Sequence, residues 1–338
     1  MGAKMFSNDD LLQSLLAAAT PLSDHVTHEH FSAQLLAEGI LLIEPQQAGD
    51  TDIVLSCGIH GNETAPIELC NKLLQQIFTG ELQPKQRLLF IFGNPTAMRQ
   101  ATRFVVENLN RLFCGSHQQG EQNLERQRAA ELEQALVTFF NDASRQRIHW
   151  DLHTAIRSSK HEKFAVCPYQ PQRGYQRQTL APLAAAGIEA FLFNHAPAFT
   201  FSYHSSHTFG ADAFTVELGK VAPFGDNDLS RLSALEQVLR ALIEQQPLAA
   251  DNNTLAQAKF YQVKRVITRD ETEFSFTFPD DTANFTAFTA GDAIAKNGNK
   301  TVFCDVTGEA VVFPNAKVAI GQRAALCVVS VALNDVCM

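Results

Sequence analysis

No stretch of about 18 uncharged apolar residues occurs in this sequence, so no membrane-spanning helix is expected. Residues 1–10 lack an apolar core behind a basic flank, so no secretory signal is expected either. No Cys-x-x-Cys pair is present. The seven cysteines (Cys57, Cys70, Cys114, Cys167, Cys304, Cys327 and Cys337) are scattered and odd in number, and several lie inside apolar runs such as 53–57 and 325–329. Buried, reduced thiols and a cytoplasmic location are the corresponding expectations. No Lys/Arg-rich run and no basic patch interleaved with aromatics offsets the excess of 36 acidic over 27 basic residues. With a formal charge of −9 the surface as a whole repels nucleic acid and anionic membrane. A small anionic substrate would need arginines concentrated locally. The helix-borne zinc-protease signature His-Glu-x-x-His is absent, as are internal repeats and low-complexity tracts.

What is present is a chain of 338 residues, 45% hydrophobic, long enough to bury a sizeable core in one large domain plus a smaller one. Short apolar runs at 53–57 and 88–92 read as buried strands. Between them Ile67, Cys70, Leu73, Leu74, Ile77 and Phe78 recur at helical spacing behind Pro66, a residue tolerated in a first helical turn. The alternation continues: a helix over 124–140 entered by a Gln-rich loop at 118–127, a strand at 148–152, a helix over 180–186, strands at 191–193 and 214–218, and an amphipathic helix over 232–243. Such alternation predicts an α/β/α sandwich with a parallel or mixed sheet. Beyond 247–253 the helical pattern gives way to β-like runs separated by Gly, Asn, Asp and Pro, at 260–267, 274–278, 301–306, 310–313 and 324–332. The expected division is a catalytic α/β domain over 1–250 and a smaller β-rich domain over 251–338.

Two segments carry most of the chemistry. Cys57-Gly58-Ile59-His60-Gly61-Asn62-Glu63-Thr64 leaves a strand at a glycine-flanked bend, and Trp150-Asp151-Leu152-His153-Thr154 ends another strand. An imidazole and a carboxylate three residues apart, joined by a later imidazole, can form a His₂Glu set that leaves a fourth position on Zn²⁺ for water or substrate. His-x-x-Glu alone recurs by chance, and a lone strand-end His is more often structural. Both motifs nevertheless follow apolar strands, and open α/β sheets bind ligands at the carboxyl ends of their strands. Asp151 either orients the neighbouring loop or supports a ligand from behind. His25, His28 and His30 read as an exposed strand or loop. His204 and His207, in a Ser/Thr-rich segment, read as non-ligands that at most line a pocket loop.

Two further groups stand out. The stretch from Gly93-Asn94-Pro95 through Arg103-Phe104 to Asn108-Leu109-Asn110-Arg111 supplies arginine forks suited to carboxylates or to a polarised carbonyl, or else forms a salt-bridged surface loop. In Thr215-Val216-Glu217-Leu218-Gly219-Lys220 a carboxylate interrupts an apolar strand, which is costly unless the group is paired or functional. Hydrolysis at a metal site needs a base that takes a water proton and returns it to the leaving nitrogen, and Glu217 is the candidate.

Together these motifs resemble the aspartoacylase and succinylglutamate desuccinylase family, within the zinc-carboxypeptidase-like superfamily. They match in order over about residues 52–225, while the β-rich tail agrees with the family's second domain without adding a motif. Asp151-Leu152-His153-Thr154-Ala155-Ile156-Arg157 and Glu217-Leu218-Gly219-Lys220 resemble the bacterial succinylglutamate desuccinylases more than the aspartoacylases. The resemblance implies a three-layer zinc-carboxypeptidase-like fold and one Zn²⁺ per chain held by His60, Glu63 and His153. It makes Glu217 the general acid/base, Arg103 the group that polarises the amide carbonyl, and Asn110 and Arg111 the holders of a substrate carboxylate. Arg157 and Lys220 would contact the succinyl carboxylate or merely neutralise the site. The implied reaction is hydrolysis of N-succinyl-L-glutamate to succinate and L-glutamate, the last step of the arginine succinyltransferase route of arginine catabolism. A related N-acyl amino acid deacylase, a carboxypeptidase and a non-catalytic zinc protein are the alternatives. Glu217 and Arg103 argue against the last, since metal storage needs neither.

Overall fold

A computed structural model describes residues 4–6, 9–248 and 252–337. The strands are β1 (His25–Thr27), β2 (Phe31–Ala37), β3 (Ile40–Pro45), β4 (Thr51–Cys57), β5 (Arg87–Phe92), β6 (Gln146–Ala155), β7 (Lys163–Cys167), β8 (Ala190–Phe193), β9 (Asp212–Lys220), β10 (Lys259–Thr268), β11 (Phe274–Phe276), β12 (Thr286–Ala287), β13 (Ala293–Asn297), β14 (Lys300–Phe303), β15 (Ala310–Val312) and β16 (Arg323–Ser330). The helices are α1 (Leu11–Leu16), α2 (Thr64–Thr79), α3 (Pro95–Arg99), α4 (Leu124–Phe139), α5 (Arg177–Ala185), α6 (Phe201–Phe209), α7 (Ser233–Ile243), α8 (Asn252–Gln257) and α9 (Leu333–Val336). Among the described residues, no helix is long and apolar enough to cross a membrane.

Period-two burial separates two layers of core around the sheet. In β4, Ile53, Leu55 and Cys57 pack with α2, α5 and α7, whereas Val54 faces α4 and α6; Leu88, Phe90 and Phe92 of β5 divide from Leu89 and Ile91 in the same way. A strand buried on both faces reads as a continuous apolar run, which is why β4 and β5 are conspicuous in the sequence. The sheet is mixed. Its order is β1-β2-β3-β5-β4-β6-β9-β7-β8-β10-β16-β15-β12, with β5-β4-β6-β9 parallel at its centre and β11-β13-β14 forming a separate small sheet. Strand β10 pairs parallel with β8, so the β-rich region continues the edge of the catalytic sheet. Within that region Leu326 and Val328 of β16 pack back toward Phe164 and Leu192, while Ala325 and Cys327 face a further cluster with Ile267 and Ile294.

Several elements differ from the sequence expectations. Residues 201–209, read as a pocket loop, form α6. Its Ser/Thr content is unfavourable in a helix interior, but Thr200 caps the start by accepting from Tyr203 N at 3.3 Å, and Gly210 closes the end at φ 66°. Strand β7 was not anticipated because its five residues lack a clear period. The region beyond 250 also contains the short helices α8 and α9, where only strands were expected.

Candidate active site

The carboxyl ends of β4, β6 and β9 lie side by side, and they deliver His60 with Glu63, His153, and Glu217 in turn. After β4 the chain bends at Gly58 (φ 64°) and passes Gly61, where a Cβ would lie 2.2 Å from the Ala97 carbonyl carbon and 2.3 Å from Met98 N. No side chain fits there. This close passage against α3 fixes the loop that carries His60 and Glu63. Glu63 is the residue preceding α2, yet its carboxylate makes no cap bond to the helix and is turned into the site instead.

His60, Glu63 and His153 are 3%, 2% and 2% exposed, and one potential ligand atom from each lies within 4.8 Å of the others, so this trio could hold a metal ion. His153 Nδ1 is 2.9 Å from Glu63 Oε2. His60 Nδ1 is 2.9 Å from Glu63 Oε1 but is not aligned for a hydrogen bond, which leaves a buried nitrogen aimed into the cluster with no satisfied partner. The outward nitrogens are held from behind: His60 Nε2 lies 2.9 Å from Asn108 Oδ1, and His153 Nε2 lies 2.9 Å from Asp151 Oδ2. An imidazole that offers one ring nitrogen while an oxygen acceptor holds the other is an arrangement in which protein histidines bind divalent metals. The donor set therefore fits a borderline metal such as Zn²⁺.

Electrostatics follow from burial and pairing. Burial, only partly offset by Glu63, lowers His60 to about 4 and keeps its imidazole neutral. For His153 burial works the other way from its partners, and Asp151 and Glu63 outweigh it, so the group is raised well above the usual histidine range. Glu63 is held well below the usual carboxylate range because His60 and His153 more than offset its burial.

Glu217 stands opposite His153 in the β6/β9 register, on the same face. It is 7% exposed, its Oε2 has no hydrogen-bond partner, and burial raises it to about 7. One step further along, the register slips between His153 and Ala155, and Gly219 (φ 102°) takes up the extra residue of the resulting bulge. The glycine thus serves to aim Glu217. Arg103 Nη1 reaches Glu63 Oε1 at 2.5 Å, which brings its guanidinium to the edge of the His60/Glu63/His153 cluster.

The remaining basic candidates divide. Arg111 donates to the Asn110 carbonyl at 2.7 Å and is open to solvent, yet it is deeply surrounded by protein, as a side chain in a cleft is. Loss of bulk water there, with the charges of Arg323 and Arg103, lowers it to about 9. Asn110 uses its Oδ1 to accept from Phe201 N at 2.9 Å, which leaves its amide NH₂ for a ligand. Arg157 is half-buried with an unpartnered, buried Nη1. Lys220 is exposed at the end of β9 and makes no ion pair among the described residues. A separate cleft of about 440 Å³ lies at the opposite end of the sheet, between the starts of β4, β6 and β9, and shares no group with this site.

Comparison with known proteins agrees with this geometry. Residues 50–243 match the succinylglutamate desuccinylase/aspartoacylase catalytic domain. The chain belongs to this family. Residues 256–331 match the AstE/AspA barrel-sandwich hybrid domain, so the β-rich region is the family's second domain. A succinylglutamate desuccinylase from Shewanella sp. (strain MR-7) is 45% identical over 339 residues, covering 98% of each chain. Solved structures of succinylglutamate desuccinylases are equally near in fold. The one from Vibrio cholerae superposes with a TM-score of 0.89 at 37% identity over 97% of this chain and 96% of that one, and the one from Chromobacterium violaceum with 0.85 at 36% over 97% and 99%. With the catalytic domain of the succinylglutamate desuccinylase/aspartoacylase family present, the chain is a hydrolase.

Two residues of this family member's site escaped the sequence reading. Asp151 takes the second of its two expected roles, backing His153, and it is itself held by Ser56, whose Oγ donates to Asp151 Oδ1 at 2.6 Å. Behind Ser56 stands His149, with Nε2 2.7 Å from Oγ. All three groups are 0% exposed. Because Ser56 spends its proton on Asp151, His149 must donate through Nε2, and burial keeps it neutral at about 4. The available signal was the period of two, His149-x-Asp151-x-His153, on one strand. The other histidines lie elsewhere: His28 stacks on Phe31, His204 faces Glu133 at 3.6 Å, and His207 stacks on Tyr203.

Proposed function

We propose that the protein hydrolyses N-succinyl-L-glutamate to succinate and L-glutamate with one Zn²⁺ held by His60 Nδ1, the Glu63 carboxylate and His153 Nδ1, as the last step of the arginine succinyltransferase route of arginine catabolism. The observation that carries this reading is the convergence of the three ligand atoms beside an unpaired, near-neutral Glu217. When bound there, the ion supplies a Lewis acid for the amide carbonyl and lowers the pKa of the attacking water.

The rest is done by side chains. With a proton affinity near pH 7, Glu217 takes the proton from the attacking water and returns it to the departing glutamate nitrogen. Arg103, anchored on Glu63, presents a fixed positive charge to the oxygen on which charge develops as the amide carbonyl is attacked. The Asn110 amide and Arg111 hold the α-carboxylate of the glutamate half, and the unpartnered Nη1 of Arg157 receives the far carboxylate of the succinyl half. That last group favours a succinyl over an acetyl substrate, because acetyl would leave a buried guanidinium nitrogen unpaired. All seven cysteines are free, five of them buried, which suits a reducing cytoplasm.

The test is turnover by zinc-loaded protein of N-succinyl, N-acetyl and N-formyl glutamate and aspartate, together with a C-terminal peptide substrate. N-succinyl-L-glutamate should give the highest kcat/KM. A higher value for an acetyl amino acid would make the protein an aspartoacylase-like deacylase, and cleavage of the peptide alone would make it a carboxypeptidase.

A further inference from the structure

Residues 156–162 join β6 to β7, and none of their side chains belongs to the buried core. Arg157 Nη1 and Ser159 Oγ are buried atoms without a hydrogen-bond partner, so neither side chain anchors the loop. The backbone is held instead by the β-rich domain. Asn284, 1% exposed, donates its N–H to the Ser158 carbonyl at 2.9 Å and accepts from Lys160 N at 3.1 Å, which makes a short parallel bridge opposite Ser159. A second tie follows at His161, whose Nε2 lies 2.9 Å from the Tyr261 hydroxyl of β10.

The far side of this clamp is fixed in its turn. The Asn284 side chain accepts from Phe313 N at 2.8 Å, which ties it to the residue that follows β15. Its neighbour Phe285 donates N–H to the Val311 carbonyl at 2.8 Å, and the Phe285 ring meets those of His161, Phe164 and Tyr261 with centroids 5.0, 5.1 and 4.8 Å away. Phe285 and Phe313 hold φ values of 64° and 55°, a conformation that bulky residues keep only where their surroundings dictate it. Phe164 stands opposite Glu217 in the β7/β9 register, so the seam is continuous with the catalytic sheet. Arg157, one residue before the Ser158 bond, is thus located from one side by the end of β6 and from the other by a residue of the second domain.

We propose that Asn284 is a positioning residue for Arg157: it holds the loop so that the guanidinium stands where the far carboxylate of a succinyl group arrives, and the β-rich domain thereby sets the acyl preference. The role of Arg157 in this rests on the N-succinylglutamate reading above. A guanidinium on a long side chain binds less well when its backbone wanders, because the substrate must then supply the ordering that the clamp had already enforced. Loss of the clamp therefore weakens binding of the substrate that Arg157 reads and leaves proton transfer at Glu217 alone.

The experiment compares zinc-loaded wild type, Asn284→Ala, Arg157→Ala and the double variant on N-succinyl-L-glutamate and N-acetyl-L-glutamate. Asn284→Ala removes the acceptor for Phe313 N and so loosens the segment that grips Ser158 and Lys160. It should lower kcat/KM on the succinyl substrate about 3–10-fold, mainly through KM, with kcat and the acetyl substrate changed less than about twofold. The double variant should lose no more than Arg157→Ala alone, because the positioning residue then has nothing to position. Tyr261→Phe, which keeps the ring and removes only the partner of His161, should give the same pattern by a smaller factor, and it carries the comparison if Asn284→Ala does not fold. Additive losses in the double variant, unchanged kcat/KM in the single one, or a substrate profile of Asn284→Ala unlike that of Arg157→Ala would overturn the assignment. Should Arg157→Ala itself lose equally on both substrates, the succinyl reading fails, while a shared profile and non-additive losses would still leave Asn284 as the residue that positions Arg157.

Discussion

A carboxylate with one oxygen buried and unbonded is normally driven to neutrality, and Glu217 stops about halfway because His153 and Arg103 lie within reach of its charge. That poise is what proton shuttling requires. Glu217→Gln keeps size and polarity, so zinc content and melting temperature should match wild type while kcat falls about 10²–10⁴-fold. Near-normal kcat in the folded, zinc-loaded variant would end the assignment. Arg157 makes a different prediction: in the proposed reading, its unpartnered Nη1 meets a partner only when the acyl group ends in a carboxylate. Arg157→Ala should lose about 10–100-fold in kcat/KM on N-succinylglutamate and little on N-acetylglutamate. Equal proportional losses on the two substrates would show that the residue does not read the acyl end.

Strands β4 and β6 do more than deliver His60 and His153. Ser56 on one and His149 and Asp151 on the other form a dry hydrogen-bonded line that ends on the imidazole of His153. Removing the Ser56 hydroxyl leaves Asp151 short of a donor and His149 short of an acceptor, and frees the carboxylate to shift away from His153. Ser56→Ala should therefore weaken zinc binding about 10–100-fold, measured by competition with a chromophoric chelator, with the fold retained. Unchanged zinc affinity would show that the line is structural only. The elements themselves were legible to the degree that they obey one period: β4, β5 and α2 stand out because they are apolar on both faces or at helical spacing. Helix α6 did not, because its stability comes from the residues that cap it and from packing of Phe201 against Phe113 and His149, partners far away in the chain.

At the scale of the whole molecule, the same buried line couples the fold to pH. His149 titrates near 6.5 when unfolded and near 4 when folded, so between those values the unfolded chain binds the additional proton. The contribution of His149 is therefore complete above about pH 6.5 and is lost as pH falls toward 4. Between pH 7 and pH 5 this single group should cost about 2 kcal/mol of unfolding free energy. His149→Gln keeps a donor for Ser56 but cannot titrate, so urea unfolding of the variant should show a pH 7-to-5 difference smaller than wild type by about that amount. Identical pH slopes in the two proteins would mean that His149 is not held neutral in the fold.

Local pattern in the sequence was enough to predict the class of the molecule and to single out His60, Glu63 and His153, which the fold brings together at its centre. Strict local periods predict the α/β alternation, and a ligand pair three residues apart at a strand end needs no distant information to be noticed. Glu217 was visible for the same kind of reason, as a charge that an apolar strand would not otherwise tolerate. Tertiary structure decided everything that depends on which strands become neighbours. Only the order β4-β6-β9 brings Ser56 against Asp151 and Glu217 opposite His153, and only the pairing of β10 with β8 carries the β-rich domain alongside the catalytic sheet, where Asn284 bonds Ser158 and Lys160 of the loop after β6. A strand's own residues fix which of its faces is apolar. The partner each face meets is fixed by contacts between segments far apart in the chain, and for these a single sequence carries no local period.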